Sequence, residues 1–171
     1  MILTPELLGA LVAQLPLPPR DIHGVAHWGR VLENGQRLSL LTGARLDVVE
    51  LFSVFHDARR FNNGRDPEHG IRGAELAQQL RGVWFELDDA GLDLLVTACR
   101  RHADGLLDAD VTIQTCWDSD RLDLGRVGIF PRTELLCTPA ARDPQVIAWA
   151  NRRSILRKVP HAVLTVWDQD Y

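Results

Sequence analysis

Apolar positions in this chain recur at intervals of three and four residues, the spacing of one helix face. Val49, Phe52, Ser53 and His56 fall at i, i+3, i+4 and i+7. Leu95, Ala98, Cys99 and His102 share a second face, and Ile113, Cys116, Trp117, Asp120 and Leu124 a third. The pattern predicts helices over 4–15, 21–41, 44–60, 68–81, 89–102, 111–124 and 144–157, with a short one over 132–137. AVLTV at 162–166 is the only strand-like run. The expected fold class is all-α.

Helix starts carry their own punctuation. Thr4-Pro5-Glu6, Asp66-Pro67-Glu68 and Asp143-Pro144-Gln145 each set a capping side chain before a proline at the first helical position. Asp88 or Asp89 caps a further helix, and Asp110 or Thr112 another. Leu15–Pro19 (LPLPP) reads as a rigid connector. With no repeat or linker, the expectation is one domain: an N-terminal helix and Pro-rich connector over 1–20, then a helical body over 21–171 that ends in an extension. A chain of 171 residues buries roughly 70% of its unfolded surface, so it needs no disulfide or structural metal to fold.

A net charge of −4 argues against general binding to nucleic acid or a membrane surface. The basic run Arg152, Arg153, Arg157 and Lys158 reads as a solvated helix face, because no aromatics interleave to stack bases. Cys99, Cys116 and Cys137 are odd in number and lack CxxC spacing, which predicts reduced thiols and a cytoplasmic protein. Residues 1–19 hold Glu6 and four prolines, unlike a signal peptide, and no stretch is long enough to cross a membrane.

The chemistry lies where ionisable residues interrupt apolar faces. His56 falls on the core face of its helix, and Asp57 stands at the C-terminal end, where the helix dipole disfavours a carboxylate unless a cation compensates. His102 ends the next apolar stripe. Asp120 interrupts a buried face, whereas Asp118, about 200° away, points elsewhere. A lone buried carboxylate costs several kcal/mol unless paired or coordinated. His27 shares a side with Val31, and His23 lies one turn earlier as a structural or pocket-lining residue. His69 opens a helix whose Gly70, Gly73, Ala74 and Ala77 allow close approach of a neighbour. Each histidine alone fits a core residue; five helices each bringing a His or Asp inward are harder to explain without a shared ion. Imidazoles and carboxylates suit Zn, Mn or Fe. His161 fits no such pattern.

These residues resemble the HD-domain superfamily of metal-dependent phosphohydrolases, helical bundles with the ordered signature H…HD…D. The match runs through His27 in HWGRV, His56-Asp57 in FHDARR and Asp120 in WDSDRLDL. His69 in EHGIRGAELA and His102 in RRHADG are similar to the third and fourth histidine segments of its six-ligand branch. The similarity spans about residues 21–126. The stretch from Asp57 to His69 is short for that branch, and Arg60 stands where the HD-x-x-K form has lysine.

The resemblance implies that His27, His56, Asp57 and Asp120 hold one divalent transition metal (Mn, Fe, Zn, Co or Ni). Asp57 would bridge to a second ion with His69 and His102. It further implies hydrolysis of a phosphomonoester or phosphodiester, of a nucleotide in particular, by a metal-activated water. Asp57, Arg60 and His23 would be the catalytic residues, with Arg60 and Arg59 neutralising phosphate oxygens. The loop FNNGRD at 61–66 reads as a plain connector or as a lid that offers Asn62, Asn63 and Arg65 to the substrate. The expected partner is a small phosphorylated molecule, with no membrane and no stable nucleic-acid complex. Two rivals share the ligand set: a diiron oxygenase of similar sequence, and a regulatory module that keeps metal and nucleotide without turnover. A Cys99 nucleophile beside His102 is weaker, since a cysteine on an apolar helix face is usually inert.

Overall fold

The structure, a computed structural model, describes residues 2–163. Its seven α-helices are α1 (Pro5–Val12), α2 (Val25–Thr42), α3 (Leu46–Phe55), α4 (His69–Leu80), α5 (Asp89–Arg101), α6 (Val111–Arg121) and α7 (Pro144–Ile155). Short 3-10 turns cover Leu124–Val127 and Thr133–Leu135. No strand forms among the described residues; a single isolated bridge pairs Arg81 with Phe85. The protein is an all-α, single-domain bundle.

The caps explain most of the starts. The side chains of Thr4, Asp88, Asp110 and Asp143 accept from the backbone N–H groups of Leu7, Gly91, Thr112 and Gln145. Each satisfies a donor that the first helical turn leaves unpaired.

Helix α3 is the axis of the bundle. Every residue from Val48 to Phe55 is buried, with α2, α5 and α6 packed around it. A helix apolar on all sides belongs in the interior, and VVELFSVF supplies that character apart from Glu50 and Ser53. The Glu50 carboxylate accepts from the Ile2 N–H and the Gln36 amide. Because α3 is enclosed, its C-terminal end delivers His56 and Asp57 into the middle of the molecule, where both are buried.

Helix α4 reaches that point through its glycines. A Cβ on Gly73 would stand 2.2 Å from the Phe55 carbonyl oxygen, and one on Gly70 2.3 Å from that of Cys99. Only glycine allows the approach that brings His69 toward His102. A second, smaller core joins Leu38 and Leu122 to Leu136, Ala141, Val146, Ile147 and Ala150, and so fixes α7 against the ends of α2 and α6.

Several expectations are corrected. Helix α2 starts at Val25, so His23 precedes it in a turn rather than lying one turn earlier on the same helix. Asp66 does not cap α4; its carboxylate accepts from the Phe61 N–H and from Arg72, and Glu68 takes the N-cap position without a side-chain bond. The 132–137 helix is only a 3-10 turn. Arg153 is not on a solvated face: it is buried, donates to Asn34 Oδ1 at 3.0 Å and pairs with Glu33. Asp118 does point away from the histidines, but into the interior, where its carboxylate accepts from the N–H groups of Cys137 and Thr138 and from the Thr138 hydroxyl. Of AVLTV, residues 164–166 lie outside the described residues, and Ala162 and Val163 are helical. No described helix is long and apolar enough to cross a membrane.

Candidate metal centre

The six candidate ligands converge. His27, His56 and Asp120 form one group, and Asp57, His69 and His102 another; within each group one ligand atom per residue lies within 4.8 Å of the others. Asp57 joins the two. Its Oδ2 is 3.5 Å from His27 Nε2 and 3.7 Å from His56 Nε2, while its Oδ1 is 3.2 Å from His69 Nε2 and 3.8 Å from His102 Nε2. Asp120 Oδ1 is 3.5 Å from His27 Nε2 and 3.8 Å from His56 Nε2. These groups can hold a metal ion.

The tautomers show why the arrangement asks for one. His27 Nδ1 faces Asp123 Oδ2 at 2.8 Å, His56 Nδ1 the Phe52 carbonyl at 3.1 Å, and His102 Nδ1 the Cys99 carbonyl at 2.7 Å. His69 Nδ1 faces the Asp66 carbonyl. Carbonyls and carboxylates only accept, so each Nδ1 carries a hydrogen, and a ring with no second proton presents a lone pair at Nε2. Those lone pairs then face each other, His27 against His56 at 3.0 Å and His69 against His102 at 2.8 Å. Burial lowers the pKa of His56 to about 3 and also lowers that of His102, so one ring in each pair is neutral. The His69–His102 pair has the Arg60 NH1 donor 3.1 Å from His69 Nε2 beside it, and the His27–His56 pair needs a shared cation, a proton or a metal ion. Asp120 Oδ1, buried and with no hydrogen-bond partner, adds a further lone pair at the same point. The residues present therefore fit a divalent ion bound by nitrogen and oxygen.

Both carboxylates stay ionised. Burial opposes this, but the His56 imidazole and the hydrogen bond from His23 hold the Asp57 carboxyl well below the ordinary value. Asp120 is likewise pushed up by burial and brought below the ordinary value by His56, Arg126, His27 and His102. Phe52 fixes the ring of His56 by stacking on it, with centroids 4.9 Å apart.

His23 comes in from its turn with Nδ1 2.7 Å from Asp57 Oδ2, and forms a third group with His27 and Asp57. Burial lowers its pKa, so the ring is neutral near pH 7. Arg60 reaches the centre as well. Its NH1 lies 3.3 Å from Asp57 Oδ1 and 3.1 Å from His69 Nε2, while NH2 and Nε donate to the carbonyls of Gly64 and Asn62. Arg60 thus holds the 61–66 loop onto the centre. Within that loop Asn62 and Asn63 are exposed, and the Asn63 amide donates to the Asp21 carboxylate. Arg59 does not join the centre: it donates to the Gln14 carbonyl and anchors the end of α1. Cys99 is buried and its thiol is pushed far up by desolvation, which removes it as a nucleophile.

Three residues near the centre escaped the helical-face reading. Asp123 accepts from His27 Nδ1 and takes two bonds from Arg30, at 2.7 and 3.0 Å. Arg126 stands beside Asp120 and His23. Asp123 and Arg126 lie beyond the end of α6, in the turn and 3-10 segment that follow it, where the wheel of α6 has no direction to offer; the one signal in the sequence is Asp123 within WDSDRLDL. No protein-family model, curated protein or solved structure compared with this chain matches it.

Proposed function

We propose that this chain is an HD-type metal-dependent phosphohydrolase that cleaves a phosphomonoester or phosphodiester, with a nucleotide as the favoured substrate. One observation carries the reading: two facing pairs of imidazole lone pairs, joined by the two oxygens of a single carboxylate, Asp57. His27, His56, Asp120 and Asp57 would hold one ion, and Asp57, His69 and His102 a second. When bound, such ions supply Lewis acidity and bring the pKa of a coordinated water toward neutrality.

The chain's own groups supply the remainder. Arg60 would turn its guanidinium from Asp57 and His69 to phosphate oxygens, and neutralise charge that builds on them. His23 donates Nδ1–H to Asp57, which leaves Nε2 free to take or return a proton. Asp57 orients His23 through that bond.

The test is elemental analysis of protein purified without chelator, paired with a panel of phosphate esters. Wild type is expected to carry transition metal and release phosphate or a phosphomonoester. His56→Ala is expected to lose ions from the first group, and His102→Ala to keep them there. A carboxylate between two nitrogen-rich groups also suits a diiron oxygenase, so iron content and oxygen uptake belong in the same experiment. Iron with oxygen uptake and no ester hydrolysis would select that reading. No metal after reconstitution with Mn, Fe and Zn would remove both.

A further inference from the structure

Beside His27 a cavity of about 120 Å³ opens between the turn before α2 and the end of α7. Arg20, Arg30, Arg126 and Arg157 line it, against one lining carboxylate, Asp21. That carboxylate is already engaged by the Ile22 N–H at 2.6 Å and by the Asn63 amide at 2.8 and 2.9 Å. Arg30 is spent on Asp123 and on the Lys158 carbonyl. Arg126 is different. It is more than nine-tenths buried, and its Nε has no hydrogen-bond partner. Its NH1 donates to the Asp123 carbonyl at 3.0 Å and stands 3.7 Å from Asp120 Oδ1, beyond hydrogen-bond reach. NH1 also stands 3.8 Å from Asp123 Oδ2 and NH2 3.5 Å from His23 Nδ1, so within this guanidinium it is Nε that is left without a partner.

We propose that this cavity is an anion subsite, in which Arg126 and Arg157 hold a second, non-reacting phosphoryl group of the substrate next to the one at the histidine centre. Its volume is roughly four times the share of one water, room for a tetrahedral oxyanion. Guanidinium donors match phosphate oxygens in pairs, and His27 forms the wall common to cavity and centre. The substrate class narrows to compounds with two phosphoryl groups in sequence, such as a nucleoside diphosphate or triphosphate. The assignment of the second group to a substrate rests on the phosphohydrolase reading; the binding of an anion does not.

The experiment is calorimetric titration of chelator-treated protein with inorganic phosphate and pyrophosphate at matched ionic strength. Wild type is expected to bind pyrophosphate without metal. Arg126→Gln should weaken binding by about tenfold or more, the loss of a charge-assisted bond. Arg157→Ala changes an exposed side chain and cannot unfold the core; it should weaken binding by several-fold, and the exposed Arg152→Ala should leave it unchanged. Binding that disappears on chelation, or that is equal in wild type, Arg126→Gln and Arg157→Ala, overturns the subsite. Arginine-dependent binding in a protein that carries no metal and hydrolyses no ester keeps the subsite while the phosphohydrolase reading fails.

Discussion

Asp123 Oδ2 lies 2.8 Å from Nδ1 of His27, a residue 96 positions away, and the same carboxylate is gripped by Arg30. The pair fixes which nitrogen of His27 faces the centre. Groups behind a coordinating histidine set its tautomer and raise its basicity, and their loss typically costs 10–100-fold in metal affinity. Asp123→Asn is therefore expected to weaken metal binding by about 10–100-fold while the helical fold remains, as read by competition against a chelator and by far-ultraviolet circular dichroism. Unchanged affinity would make Asp123 a partner of Arg30 alone.

Asp118 and Asp120 sit two residues apart and do opposite work. Asp118 satisfies the backbone N–H groups of Cys137 and Thr138 and the Thr138 hydroxyl, so Asp118→Ala leaves buried donors orphaned. It should cost about 3 kcal/mol of stability in urea unfolding of chelated protein. Asp120→Asn leaves no backbone donor orphaned and should instead abolish metal retention by the His27–His56 group.

Gly70 is a steric requirement of the Asp57–His69–His102 group. An alanine methyl would meet the Cys99 carbonyl at 2.3 Å and the His102 ring at 3.1 Å. Gly70→Ala is expected to destabilise the protein by about 1–3 kcal/mol and to lower metal content at that group, with the His27–His56–Asp120 group still filled. Thermal melts and metal stoichiometry read the two effects separately.

Arg45 staples the starts of α3 and α5 by donating to Asp47 at 2.6 Å and to Asp88 at 2.8 Å. These bonds hold both carboxyls below their ordinary values. A depressed carboxyl pKa gives stability that is present above the unfolded value, near 4, and lost as pH falls through the folded one. Arg45→Ala should thus lower the melting temperature of chelated protein near neutrality, by a small amount because solvent screens the pairs. The difference should close as pH falls below the lowered folded values of Asp47 and Asp88. A gap that persists in acid would place the role of Arg45 in packing.

Helix identity and the direction of each apolar face were determined by the sequence alone, because both follow from periodicity and caps within a few residues. Thr4 and Asp143 announced their helices, and Asp88 and Asp110 did so as one of two candidates each, while the full enclosure of Val48–Phe55 came only with the structure. The separation of Asp118 from Asp120 was likewise readable from the angle between them. Tertiary structure decided what those faces meet. It took Asp66 from a cap to a partner of Arg72, drew Arg153 inside, and set His23 against Asp57 from a turn. It also placed Asp123 behind His27 and gathered four arginines from the connector, α2, the turn after α6 and the end of α7 around one cavity. Periodicity fixes an angle about one helix axis. The meeting of side chains depends on how separate axes cross and where each helix ends, and both are set by packing across the whole core.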